Sequence, residues 1–218
     1  YLTGSLSKTY KVGDTLSNGL KLDDSTIKVY GQKGSGNPVE LTKTTDYTSS
    51  VTGTTSFEIN FKYDQIKNYD KVRITYSASL AKETTTIVGG AGNTNTANLT
   101  YSNNPYVADS TQTQETTNTV FTYGAEITKT DKTSGEALTG AEFELTKDSN
   151  KLYFVKTADG VYYQANSSEV GATTTLVVDN KGKLNIFGLA EGTYSLTETK
   201  APSGYNKSAE TKEIKITD

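Results

Sequence analysis

Gly192-Thr193-Tyr194-Ser195-Leu196-Thr197-Glu198 alternates with a period of two, placing Tyr194, Leu196 and Glu198 on one face and Ser195 and Thr197 on the other. The face with the apolar residues is the one a sheet buries, so the segment reads as a half-buried strand that carries Glu198 inward. A long strand expected from Val120 to Asp131 has the same property: Phe121, Tyr123, Ala125, Ile127 and Lys129 share one parity, and Thr122, Gly124, Glu126 and Thr128 the other. Lys129 is therefore directed inward as well. An unpaired buried charge is costly, and even a buried pair gains little over apolar residues of similar size. Parity alone is met by a buried ion pair or by strand ends at which both side chains escape to water.

Further short runs surround these two. Between them lie Glu142 to Leu145, Leu152 to Val155, Val161 to Tyr163, Thr175 to Val178 and Leu184 to Phe187, and Glu213 to Ile216 follows; polar turns such as Asp159-Gly160 and Asn180-Lys181-Gly182 separate them. About eight strands in about a hundred residues suggest a sandwich. The first half repeats the pattern in Leu6 to Val12, Thr26 to Tyr30, Phe57 to Phe61 and Val72 to Tyr76, with loops expected at Gly34 to Pro38 and Gly89 to Asn93. Pro105 to Thr119 is almost all polar and reads as a solvated connection; a single helical turn fits Ser167 to Val170. The expected fold is all-β, with two tandem immunoglobulin-like β-sandwich domains at 1–119 and 120–218, as 218 residues allow at about 150 per domain.

Composition supports thin sheets over a thick helical core. The chain is 33% apolar with mean hydropathy -0.57, and it holds 38 threonines and 15 tyrosines, residues that suit a pleated, half-buried surface. It has no histidine and no cysteine. A serine–histidine triad, a cysteine nucleophile, a zinc finger, an iron–sulfur centre and a disulfide are thus excluded. Net charge -3 and pI near 5.2 argue against nucleic acid as partner. No apolar run approaches the ~18 residues of a membrane span, and Tyr1-Leu2-Thr3-Gly4 is no signal peptide. Asp23-Asp24 and Asp148-Ser149-Asn150 are acidic turns without the order of a calcium loop, and Gly89 to Gly92 lacks the context of a phosphate loop. No cofactor or metal is expected.

Two motifs carry a resemblance. Ile127-Thr128-Lys129-Thr130-Asp131 with Leu138-Thr139-Gly140-Ala141-Glu142-Phe143-Glu144-Leu145, and then Gly188 to Tyr205 with its acidic core Tyr194-Ser195-Leu196-Thr197-Glu198-Thr199-Lys200-Ala201-Pro202, resemble collagen-adhesin B-type domains. Asp14-Thr15-Leu16-Ser17-Asn18-Gly19-Leu20 and Leu99-Thr100-Tyr101-Ser102-Asn103-Asn104-Pro105 resemble the preceding domain of sortase-assembled backbone pilins of Gram-positive bacteria.

That resemblance implies a shaft subunit of an extracellular, cell-wall-anchored pilus. Its partners would be neighbouring subunits joined by sortase, with host surface or matrix as further contacts. It also implies spontaneous lysine–asparagine isopeptide bonds: burial favours a neutral amine and a protonated acid, and the acid polarises the amide and shuttles protons as ammonia leaves. By motif, Lys129 is the nucleophile and Glu198 the acid. The acceptor of this domain is expected beyond Asp218, with Asp218 itself as a substitute and Asn206 in the turn after the acidic motif. In the first domain Asp14 is the acid and Asn103 the acceptor, with Asn104 in reserve, and Asn103 is expected buried beside Asp14. Its lysine is expected upstream of Tyr1, with Lys8 the local substitute, so that the first domain would be truncated at its start and the second would lack its last strand. The alternatives are a stalk or ligand-binding module of a wall-anchored adhesin, and a two-carboxylate glycosidase, which would need its acids in an open cleft.

Overall fold

A computed structural model describes residues 8–104, 106–107 and 110–217. Its strands are β1 (Tyr10–Leu16), β2 (Leu20–Gln32), β3 (Val39–Glu40), β4 (Tyr47–Thr52), β5 (Ser56–Phe61), β6 (Lys71–Leu80), β7 (Asn93–Ser102) and β8 (Thr111–Val120) in the first half. The second half holds β9 (Tyr123–Thr128), β10 (Glu142–Lys147), β11 (Asn150–Lys151), β12 (Tyr153–Ala158), β13 (Val161–Ala165), β14 (Ala172–Thr173), β15 (Leu176–Val177), β16 (Lys183–Leu189), β17 (Gly192–Lys200) and β18 (Thr211–Ile216). One helical turn, α1, spans Tyr63–Ile66; Ser167 to Val170 is turn and bend instead. The all-β reading with tandem sandwiches holds. Among the described residues no helix is long and apolar enough to cross a membrane.

The chain divides into two compact units whose boundary is not a single point. The first comprises 1–81 and 93–120, the second 82–92 and 121–218. Residues 82–92 leave the first unit between β6 and β7 and belong to the second, where the Glu83 carbonyl accepts from the Tyr163 hydroxyl, Lys82 pairs with Glu169, and the Gly89 N–H donates to the Thr122 carbonyl at 2.6 Å. The glycine-rich loop is thereby anchored.

In the first unit a five-stranded sheet, β4-β5-β1-β7-β8, faces a three-stranded one, β3-β2-β6. Val29, Ile59, Phe57 and Phe61 fill the space between. Residues 111–120 correct the expectation of a solvated connection over 105–119: they form β8, paired with β7 at all ten positions. In the second unit β11-β10-β17-β18, with β15 on β10, faces β14-β12-β13-β16-β9. Leu145, Phe154, Leu176, Leu184, Ile186 and Leu189 are fully enclosed there. The strand expected over 120–131 is divided: Val120 ends β8, Phe121 is exposed rather than inward, and β9 stops at Thr128.

Candidate functional site

Tyr194, Leu196 and Glu198 are all buried along β17 while their neighbours are not, so the period of two carries the carboxylate into the core. Beside Glu198 the pairing with β10 slips, since Glu142 faces Lys200 but Phe143 faces Glu198. Such a bulge bends a strand and re-aims a side chain. Across the sandwich, Lys129 follows directly on β9 and keeps its inward parity. Its backbone is held on both sides, the N–H donating to the Gly182 carbonyl at 2.8 Å and the carbonyl accepting from the Leu138 N–H at 2.9 Å. Gly182 sits at φ 70°, and a Cβ there would lie 2.7 Å from the Lys129 carbonyl oxygen. Only glycine combines that dihedral with so close an approach.

Lys129 Nζ lies 3.1 Å from Glu198 Oε1. The carboxylate is 2% exposed and the lysine side chain 25%, so the acid is enclosed and the amine has one open side. Glu198 Oε2 accepts the Ser208 N–H at 2.6 Å, while Oε1 has no hydrogen-bond donor of good geometry and faces only the amine. A cavity opens at this pair, lined by Ile127, Lys129, Phe143, Leu196, Glu198 and Ser208. It lies between β9 and β18, which among the described residues pair only with β16 and only with β17 respectively.

The first unit holds a second buried acid, Asp14, 5% exposed on β1. Its Oδ1 accepts the Tyr76 hydroxyl at 3.0 Å and its Oδ2 the Asn95 amide at 3.4 Å, while Asn95 also donates to the Tyr76 oxygen at 2.7 Å. Burial holds the Asp14 carboxyl above the usual carboxylate range, against the opposing donation from Tyr76 and Asn95. Burial and the adjacent carboxylate push Tyr76 up to about 12. Asn95 Oδ1 is enclosed with no donor. The cluster thus offers an acid and an amide carbonyl side by side, with no cation among the groups that bond Asp14.

Asn103 is not part of this cluster, which corrects the expectation that it lies buried beside Asp14. It is exposed past the end of β7, its Oδ1 accepting from the Ser110 hydroxyl at 2.7 Å. Asp14 pairs with Ala97 in the β1–β7 register, and six further residues at ~3.3 Å each carry Asn103 ~20 Å away. Asn104 caps a local turn by accepting the Tyr106 N–H. Asn95 has the same parity as Asn103, and with Tyr76 it forms the pair bonded to Asp14 that sequence reasoning missed; the parity signal was present, the register was not. Lys8 lies 4.7 Å over the Tyr63 ring. Asn206 is exposed in the loop before β18, and Asp218 lies outside the described residues. Asp23-Asp24 is not the expected turn: it lies within β2, where the pairing with β6 slips between Asp23 and Lys28 and Asp23 accepts from Ser25, while Asp148 and Ser149 do form a left-handed turn.

Residues 124–218 match the SpaA prealbumin-like fold domain. Over those residues the second unit is similar to that domain family. Lys129, Gly182, Glu198 and Ser208 all fall within its matched residues. Over 98% of its length the chain is 27% identical to the trypsin-resistant surface T6 protein of Streptococcus pyogenes serotype M6, of which it spans 39%. It superimposes on the T6 backbone pilin of serotype M6 S. pyogenes, described as a modular three-domain structure decorated with variable loops and extensions, with TM-score 0.72 and 25% identity over 99% of this chain and 44% of that one. The pilus 2b backbone protein of group B streptococcus gives TM-score 0.63 and 26% identity over 96% of this chain and 78% of that one. The chain therefore spans well under half the length of the T6 protein, and it resembles these backbone pilins along nearly all of its own length.

Proposed function

We propose that the chain is a load-bearing segment of a cell-surface pilus shaft, a structural part rather than an enzyme, whose SpaA-type domain crosslinks itself at Lys129. The observation that carries this is the Lys129–Glu198 contact of 3.1 Å at a cavity between two free strand edges. A strand laid between β9 and β18 delivers an asparagine to that cavity. Lys129 attacks the side-chain carbonyl carbon as the neutral amine and, as the C–N bond forms, gives one proton to the Glu198 carboxylate; the bond to the amide nitrogen breaks, and Glu198 passes that proton to the nitrogen, which leaves as ammonia. The acceptor comes from polypeptide outside residues 1–218. Joining of subunits by sortase, anchoring to the wall and contact with host surfaces belong to the same reading and rest on similarity to backbone pilins.

The first unit fits the same chemistry with one correction. Asp14 is the acid, and the acceptor is Asn95 in place of Asn103, since Asn95 shares hydrogen bonds with Asp14 and Tyr76. Its lysine also comes from outside residues 1–218: Lys8 is held over Tyr63 and Lys11 pairs with Glu58.

The test is intact mass and tandem mass spectrometry of the full polypeptide. The expected result is one ammonia lost per crosslink and a branched peptide on Lys129, with that branch absent in Glu198→Ala. A Glu198→Ala protein that still carries the Lys129 branch at the normal rate overturns the role of Glu198, and an unbranched Lys129 in the parent overturns the reading.

A further inference from the structure

The strand β8, Thr111-Gln112-Thr113-Gln114-Glu115-Thr116-Thr117-Asn118-Thr119-Val120, is exposed at every residue, on both faces. It closes one end of its sheet, bound to β7 along one edge and to no other described strand along the second. Sheet edges of this length are normally guarded by a lysine, a proline, a bulge or a covering element, because a row of free N–H and C=O groups is a template for another strand. Among the described residues this edge has none of these. Its register with β7 is unbroken over ten residues, it contains no proline, and its one charge is Glu115. No lysine or arginine occurs anywhere between Lys82 and Lys129, so the neighbouring loops supply no cationic guard either.

We infer that β8 is an interaction edge whose partner is β8 of a second copy of this chain, paired antiparallel about a two-fold axis at Thr116. The sequence of the strand selects both partner and register. An axis perpendicular to the sheet keeps inner faces with inner faces, so only residues of equal parity oppose one another. Centring the axis on Glu115 would set two carboxylates face to face, which destabilises a sheet. Moving it one residue to Thr116 removes the clash. Thr113 then faces Thr119, Glu115 faces Thr117, Gln114 faces Asn118 and Thr116 faces itself, and every residue from Gln112 to Val120 has a partner. Each opposition between Thr113 and Thr119 is hydroxyl with hydroxyl, carboxylate with hydroxyl, or amide with amide, and at the ends Gln112 lies against the aliphatic Val120 without a charge clash. The chain already uses the first kind across β7 and β8, where Thr96 meets Thr117 and Thr100 meets Thr113 with oxygens 2.9 Å apart. One such ladder is a weak contact, and it gains strength where many copies are held in a row, because each pairing raises the local concentration for the next. Lateral pairing of shafts is the corresponding consequence in an assembled fibre.

The absence of cysteine allows a direct test. A single cysteine at the axis, Thr116→Cys, meets its own copy within disulfide reach, since opposed residues of an antiparallel pair lie ~4.5 to 5.5 Å apart at Cα. Thr113→Cys does not meet itself but meets Thr119→Cys. Under mild oxidation Thr116→Cys is expected to form a covalent dimer at least about tenfold faster than Thr113→Cys or Thr119→Cys alone, while an equimolar mixture of those two gives the mixed dimer. Added to Thr116→Cys, the pair Thr113→Lys and Thr119→Lys opposes like charges and is expected to return the rate to the background of the off-axis variants. Thr117→Lys instead places an ammonium opposite Glu115 and is expected to raise it. Equal rates at positions 113, 116 and 119, or a Thr116→Cys rate indifferent to both lysine variants, overturn the proposal. Circular dichroism of each reduced variant matching the parent confirms that β8 is intact in all of them.

Discussion

Two acids of similar burial, Glu198 and Asp14, are held by different means. Glu198 has the Lys129 amine at 3.1 Å and a backbone N–H at 2.6 Å, and its surroundings are a closed core of enclosed aliphatic and aromatic residues. Asp14 has only two neutral donors, and the β7 residues that share its face, Ala97, Leu99 and Tyr101, are half-buried. The first unit has three strands opposite five, while in the second the sheets are of matching size. Burial without an amine beside it favours the neutral form of Asp14. The same inward position on a strand therefore yields two different sets of partners, decided by what stands opposite.

The largest effect that tests this contrast is in packing. Leu145→Ala in the closed second core is expected to cost about 3 kcal/mol, against less than about 1 kcal/mol for Leu99→Ala on the half-buried face of β7. Urea unfolding followed by hydrogen exchange of each unit measures both, and equal costs would mean that the first unit is as closed as the second. Next, Glu198→Ala is expected to destabilise the second unit by about 2 kcal/mol, below the usual cost of breaking a buried pair because the lysine has an open side through which water can reach it.

Gly182→Ala sharpens the comparison from the lysine side. The added Cβ strains a left-handed residue and presses on the Lys129 carbonyl, with an expected loss of about 1 to 2 kcal/mol and slower branching at Lys129. Normal branching in that variant would show that the backbone clamp does not position the amine. The smallest effect has the opposite sign. Burial raises the Asp14 pKa, so the folded unit binds that proton more tightly than the unfolded chain. Stability then falls as pH rises from about 4 through the folded value and levels off above it. Asp14→Asn removes that loss and is expected to be more stable by about 1 kcal/mol at pH 7, with the gain gone below about pH 3. A less stable variant at pH 7 would mean that the ionised carboxylate is well solvated by Tyr76 and Asn95.

Strands with one apolar face were legible, and so was the approach of Lys129 and Glu198, because a period of two fixes which side chains go inward. Position along a strand is a matter of register between strands remote in sequence, which no local pattern contains. Asn95 and Asn103 are indistinguishable by parity, and only the pairing of Asp14 with Ala97 separates them. β8 was illegible for another reason. A strand exposed on both faces has no apolar alternation, and threonine and glutamine written in alternation look like solvated linker; its existence depends on the ladder that β7 supplies. Phe121 was misplaced because the long run around it belongs to two strands in different units.

The polypeptide passes from one unit to the other three times, at Ala81/Lys82, Gly92/Asn93 and Val120/Phe121. Tandem domains joined by a single linker can be exchanged between genes by one crossover, and each arrives whole. Here a joint at Val120/Phe121 would deliver a second unit without residues 82–92, leaving Glu169 without its lysine and the Tyr163 hydroxyl without the Glu83 carbonyl. The excised first unit would meanwhile carry eleven residues whose contacts lie elsewhere. The two units are thus bound to be inherited together, and sequence divergence within 82–92 has to keep pace with a surface encoded some eighty positions downstream.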